Sequence, residues 1–167
     1  MSVDLNALCS RLDGFGRNRP NEKARIEVEQ GLSSKWEGVQ VTAARTLAAW
    51  GDERSLSLIR ELLVKMSRKE AAWATTGALS NALAPRLAES DLDWVFDLFL
   101  SKARRDNRYA LIPLFEAFEP NISIPALEAR LTKATSDAAS DLRMVLGRVK
   151  WRASSGGLTT RSRADAP

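Results

Sequence analysis

Apolar residues recur three and four positions apart along most of the chain, the spacing that gathers them on one face of a helix. The pattern is clearest over Ser34–Met66. Trp36, Val39, Ala43, Leu47 and Trp50 form one stripe, and Val41, Ala44 and Ala48 lie beside it. Ser34-Lys35-Trp36-Glu37 has the S-x-x-E spacing of a capping box at the head of that helix. Gly51 suits the left-handed residue that ends a helix, and Asp52 suits the cap of the next one. Leu56, Ile59, Leu63 and Met66 then define a second amphipathic helix. The expected unit is an antiparallel αα-hairpin, with Trp36 and Trp50 in its core.

One hairpin cannot bury both of its apolar faces, so similar hairpins are expected to stack against it. Ser67-Arg68-Lys69-Glu70 repeats the S-x-x-E spacing, and Asp106 and Ser136 are candidate caps further on. These signals fall roughly 30 to 40 residues apart, a period typical of helical-repeat proteins.

Val39-Gln40-Val41-Thr42-Ala43-Ala44-Arg45-Thr46-Leu47-Ala48-Ala49-Trp50-Gly51-Asp52 resembles the first helix of a HEAT repeat, including those of short bacterial HEAT-like proteins. Gln40 stands where that family carries a basic residue. Ile124-Pro125-Ala126-Leu127 resembles the family's V-P-x-L start to a second helix. The resemblance implies an all-α, right-handed α-solenoid of about four antiparallel hairpins. It covers about residues 20–151 and speaks to architecture, not to activity.

The rest of the chain fills in around that frame. Ser2 is a candidate cap for a helix bearing Leu5, Leu8, Cys9 and Leu12. Asp13–Asn21 holds Gly14, Gly16 and Pro20 and reads as a loop. A helix to about Leu32 follows, with Ala24, Val28 and Leu32 inward and Ile26 off the stripe. Ser67–Ala84 reads as an alanine-rich inner helix that stops before Pro85. Leu92, Val95, Phe96, Phe99 and Leu100 form the next stripe, with Trp94 beside it. Pro113 predicts a kink or a late start in Tyr109–Phe118. Pro120–Ser123 reads as a turn before a helix to about Lys133. Ser136 then caps Asp137–Trp151, with Leu142, Val145, Leu146 and Val149 inward. Residues 1–151 are expected to form one domain. Arg152–Pro167 holds one large aliphatic residue and reads as a flexible tail.

Composition narrows the chemistry more than the fold. The 167 residues include no histidine and one cysteine. Histidine bases, Ser-His-Asp and Cys-His nucleophile systems, imidazole metal sites and thiolate zinc sites are therefore removed. Cys9 lies on an apolar stripe and reads as a small core residue. No catalytic residue, metal site or cofactor is predicted, and a non-enzymatic role is expected. No apolar run reaches a membrane span of ~20 residues. Met1–Leu12 lacks a basic leader and a long apolar run, so a cytoplasmic protein is expected.

The formal net charge is +4, and Arg152, Arg161 and Arg163 against Asp165 supply half of it. A nearly balanced body is not the footprint of a dedicated nucleic-acid binder. Two basic clusters stand out: Arg11, Arg17, Arg19, Lys23 and Arg25, and Lys102, Arg104, Arg105 and Arg108. Each reads either as an anchor for an anionic partner or as a solvated helix end, where cations meet the negative pole of the helix dipole. Trp73 and Trp94 lie off the main stripes, and tryptophan and arginine dominate binding hot spots. The predicted function is protein binding through the surface of successive second helices, with Arg60, Lys65, Trp94, Lys102, Arg104, Arg105 and Arg108 as its residues. The partner's identity stays open, and an antitoxin or immunity role is one form it can take. Two alternatives follow from the resemblance. A DNA-repair glycosylase-like protein needs a continuous positive groove, and a bilin lyase or chaperone needs an apolar pocket with a carboxylate.

Overall fold

The computed structural model describes residues 4–155, and these are helical and joined by short turns, with no strand among them. The chain divides into two compact units, Met1–Ala117 and Phe118–Pro167.

The first unit contains α1 (Leu5–Phe15), α2 (Glu22–Leu32), α3 (Glu37–Trp50), α4 (Glu53–Arg68) and α5 (Trp73–Leu83). The short helices α6 (Leu92–Asp97), α7 (Arg105–Arg108) and α8 (Ile112–Phe115) complete it. Helix α1 packs on α3, α3 on α5, and α5 on α7 and α8. Helix α2 packs against α1 and α3, and α4 against α3 and α5. Hydrogen bonds tie α3 to α1: buried Thr46 Oγ1 donates to the Leu12 carbonyl at 2.8 Å, and Nε1 of Trp50, half-buried rather than core, donates to that of Phe15 at 3.1 Å. Leu12, Leu47, Ile59, Leu63, Leu79 and Leu83 are completely buried. At the end of the unit Phe115 meets Phe96 and Phe99 edge-on, at ring separations of 5.1 and 5.3 Å.

The expected cap at Asp52 holds, while α1 and α2 are capped by Asp4 and Asn21, which the sequence reading did not name. The Asp4 carboxylate accepts from the amides of Asn6 and Ala7, Asn21 caps α2, and Asp52 caps α4 through the Ser55 amide. Ser2 lies outside the described residues. Gly51 ends α3 with φ of +69°, in the left-handed region expected of it.

Several expectations are overturned where long-range partners intervene. No capping box forms at Ser34. Its hydroxyl accepts from the Trp36 amide, α3 begins at Glu37, and the Glu37 carboxylate turns away to Thr75 and Lys69. Trp36 is not core but 49% exposed, beneath the Lys35 ammonium. Ser67 does not open a helix. Burial of Leu63 and Met66 carries α4 on to Arg68, and Ser67 Oγ donates back to the Val64 carbonyl. The next helix starts only at Trp73, after Ala71 adopts φ of +53°. Its buried face is Thr75, Thr76, Leu79, Ser80 and Leu83 rather than the alanines. A π-helical turn over Leu98–Lys102 extends α6, and Asp106 lies inside α7, paired to Arg104 instead of capping. Pro113 produces the late start, with a 3₁₀ turn over Tyr109–Leu111 ahead of α8.

The second unit holds α9 (Pro120–Leu131) and α10 (Ser136–Ser154), which pack on each other. Pro120–Ser123 is not a turn but the first turn of α9, where proline's missing N–H costs nothing. Thr135, not Ser136, precedes α10. Leu127, Leu142, Val145 and Val149 are buried, and Lys150 pairs with Glu128 at 2.8 Å. Trp151 is 57% exposed with the Arg148 guanidinium 4.7 Å from its ring. Residues Arg152 to Ser154, assigned above to the tail, continue α10, and the remaining tail from residue 156 lies outside the described residues.

Candidate functional site

Two arginines in the first unit make the same pair of contacts. Arg25 on α2 reaches Asp52, the cap of α4, at 3.0 Å and lies 5.3 Å from the Trp50 ring. Arg60 on α4 reaches Asp91, the residue ahead of α6, at 2.7 Å and lies 5.4 Å from the Trp94 ring. Each guanidinium is thus held by a carboxylate and an aromatic face, and each links one second helix to the next. The Arg25 guanidinium, with help from the Ser55 hydroxyl and amide, holds the Asp52 carboxyl down at about 2. Two of the residues predicted for partner binding, Arg60 and Trp94, are committed to this internal latch.

The remaining predicted residues gather around the C-terminal end of α4, and a buried asparagine sets their positions. Asn107 is completely buried, and its Nδ2 donates to the carbonyls of Ser67 and Lys69 at 2.8 Å each. The Arg104 amide donates to the Ser67 carbonyl at 3.0 Å. Carbonyls that the end of a helix leaves without partners are thereby satisfied from a segment forty residues away. Lys102 pairs with Asp97 at 2.6 Å, Arg104 with Asp106 at 3.2 Å, and Lys65 is exposed on α4. Lys102 beside Asp97 pulls that carboxyl below its usual range. Arg108 turns inward: Nη2 donates to the Leu100 carbonyl at 2.9 Å, and the guanidinium lies 5.7 Å from the Phe99 ring. Arg104, Arg105 and Asp106 line a shallow surface depression of about 560 Å³.

Trp73 at the start of α5 is 66% exposed and Tyr109 is 68% exposed. Helix α5 packs with α7 near its start, and the turn after α5 packs with α8. The two segments therefore run in the same direction. A Cβ at Gly77, one turn beyond Trp73, would lie 3.7 Å from Ala110 Cβ, and Ala110 follows Tyr109. Gly77 and Ala110 thus mark where α5 meets the turn ahead of α8, with Arg105 one helical turn ahead of Tyr109. Glu37 reaches from α3 to the start of α5. Its carboxylate accepts a short hydrogen bond from Thr75 Oγ1 and one from Lys69 Nζ at 3.2 Å, and both contacts lower its pKa.

The other basic cluster is dispersed. Arg25 forms a latch, Arg11 pairs with Glu27, Arg17 pairs with Asp13 at 3.7 Å, and Arg19 is exposed. Lys23 lines a groove of about 530 Å³ on the first hairpin, together with Leu8, Arg11, Ile26 and Glu27. Among the described residues, no group of three or more His, Cys, Asp or Glu side chains is placed to hold a metal ion. No helix among them is long and apolar enough to cross a membrane. The shifted carboxylates, Glu37, Asp52 and Asp97, all move toward the ionised form, away from what a general acid needs.

Sequence reasoning missed Asn107 and Tyr109. Asn107 sat in a polar, basic run that reads as solvent-facing, and nothing local marks it as buried. Tyr109 had one signal, its position just outside the stripe of Leu111, Ile112, Leu114 and Phe115. The described residues define an all-helical protein whose exposed aromatics include Trp73 and Tyr109. Protein-family models, curated proteins and solved structures were each compared with the chain, and none matches it.

Proposed function

We propose that the chain is a non-enzymatic module that binds another protein through the surface of successive helical hairpins, stacked as in a right-handed HEAT-like solenoid. The succession of α1, α3, α5 and α8, with α2 and α4 packed beside it, supports the stacked reading. The observation that carries the binding role is the exposure of Trp73 and of Tyr109. Large aromatics so exposed beside arginines resemble interface hot spots more than ordinary surface. The internal latches redefine the surface: Arg60, Trp94 and Arg108 serve the scaffold, while Lys65, Lys102, Arg104 and Arg105 stay on the binding side.

Affinity purification of the tagged chain from its native host, followed by mass spectrometry and size-exclusion chromatography, tests the role. A protein co-eluting at fixed stoichiometry is the expected result. A chain that elutes alone at every salt concentration counts against it.

A further inference from the structure

We infer that a second copy of this chain occupies the outer face of α1 and α2, the two copies meeting across a twofold axis that runs their α2 helices antiparallel.

The face is a formed groove with an apolar residue at its wall. Leu8 and Arg11 of α1, Lys23, Ile26 and Glu27 of α2, and Val39 of α3 line one cavity of about 530 Å³. It opens because α1 and α2 both pack on α3 and touch each other little. Val39 is buried at its floor, whereas Ile26 lies off the inward stripe of Ala24 and Val28 and is 49% exposed. The end of a stack of helices that meets only water carries a polar outer face, and Ile26 departs from that rule.

Charge selects a second copy over other occupants. Lys23 and Glu27 stand one helical turn apart on the flank of α2 that faces α1, where Glu27 pairs with Arg11. Lys23 has no ion pair among the described residues. A partner of a single sign repels one member of this couple. Rotation of α2 about a twofold axis at Ile26 reverses the order of the two charges. Lys23 of each copy then falls within about 3 Å, measured along the helix, of Glu27 of the other. The two Ile26 side chains meet near the axis, and each copy's α2 lies over the other's groove, against Leu8 and Val39. Such a patch is complementary to itself, as an interface between identical subunits requires.

Area sets the strength. Each helix has 11 residues. The pair therefore presents a face of about 16 by 20 Å. That is at the small end of specific interfaces, so the dimer is concentration-dependent rather than obligate.

Sedimentation velocity of the full chain, from micromolar to millimolar concentration, tests the proposal. The sedimentation coefficient should rise with concentration toward that of a dimer. Ile26→Asp should weaken association about tenfold or more. Lys23→Glu and Glu27→Lys should each self-associate more weakly than wild type, because like charges then meet across the axis. Their equimolar mixture should recover association, since each variant supplies the sign that the other needs. Ile26 and Lys23 are exposed and Glu27 is partly so, and far-UV circular dichroism should show all three variants folded. A chain that sediments as a monomer at every concentration overturns the proposal, whatever partner the purification returns. Association that Ile26→Asp leaves intact overturns it in favour of another face. A mixture that associates no better than its components overturns it too, because the twofold pairing requires the exchange. A co-purifying protein that Ile26→Asp releases, from a chain monomeric by itself, overturns it in favour of a different protein on this face.

Discussion

Arg60 Nη2 stands 2.7 Å from Asp91 Oδ1, while Asp91 Oδ2 accepts the Ala88 amide at 2.8 Å. One carboxylate thus organises the turn before α6 and anchors α4 to it. Arg25 and Asp52 do the same between α2 and α4, each time with a tryptophan under the guanidinium. The two latches thus use one arrangement of arginine, carboxylate and tryptophan at two places in the first unit.

Arg60→Ala should destabilise the chain by about 1–2 kcal/mol, since Asp91 is left largely shielded without its cation. Arg60→Lys should recover part of that loss but not the planar stacking on Trp94. Urea denaturation reads both. An unchanged midpoint in Arg60→Ala would mean the latch is only a surface contact.

Asp52 supplies a pH signature. Its folded pKa of about 2 lies below the ordinary 3.8, so the unfolded chain binds the proton more readily. The stabilisation is complete above the ordinary value and is lost as pH falls toward 2. Because the side chain is 38% exposed, screening reduces the effect to about 1 kcal/mol. Asn keeps the cap, so Asp52→Asn isolates the charge. Its deficit at neutral pH should shrink as pH falls and vanish near pH 2. A deficit independent of pH would assign the effect to something other than ionisation.

Asn107→Ala should cost about 1–2 kcal/mol, because the Lys69 carbonyl loses its donor while that of Ser67 keeps only the Arg104 amide. Hydrogen exchange at the last turn of α4 and at Trp73 should accelerate more than in α1. Uniform acceleration across the unit would remove the local role given to this side chain.

Two glycines should respond in opposite directions. A Cβ at Gly31 would fall 2.9 Å from Ala43 Cβ and 3.3 Å from Leu12 Cδ1, so Gly31→Ala should force α2 off α3 at a cost of about 1–3 kcal/mol. At Gly147 nothing lies within 4 Å, and Gly147→Ala should stabilise α10 by about 0.5–1 kcal/mol. Thermal melts of the two variants check the sign of each.

What the sequence determined by itself was whatever a few neighbouring residues decide. Helical periodicity placed α2 to α4 and α10 closely, Gly51 and Asp52 set the turn between α3 and α4, and Pro113 delayed α8. Those outcomes depend on backbone sterics and on caps within four residues, and no distant partner competes. Tertiary structure decided the rest. Glu37 abandoned Ser34 for Thr75 and Lys69, and Asn107 disappeared into the core to close α4. Trp36 moved to the surface, and Arg60 and Trp94 were drawn into a latch. The physical reason is common to all of them. A long polar or aromatic side chain has several partners of similar strength within reach, and only the packed helices determine which one is near enough to win.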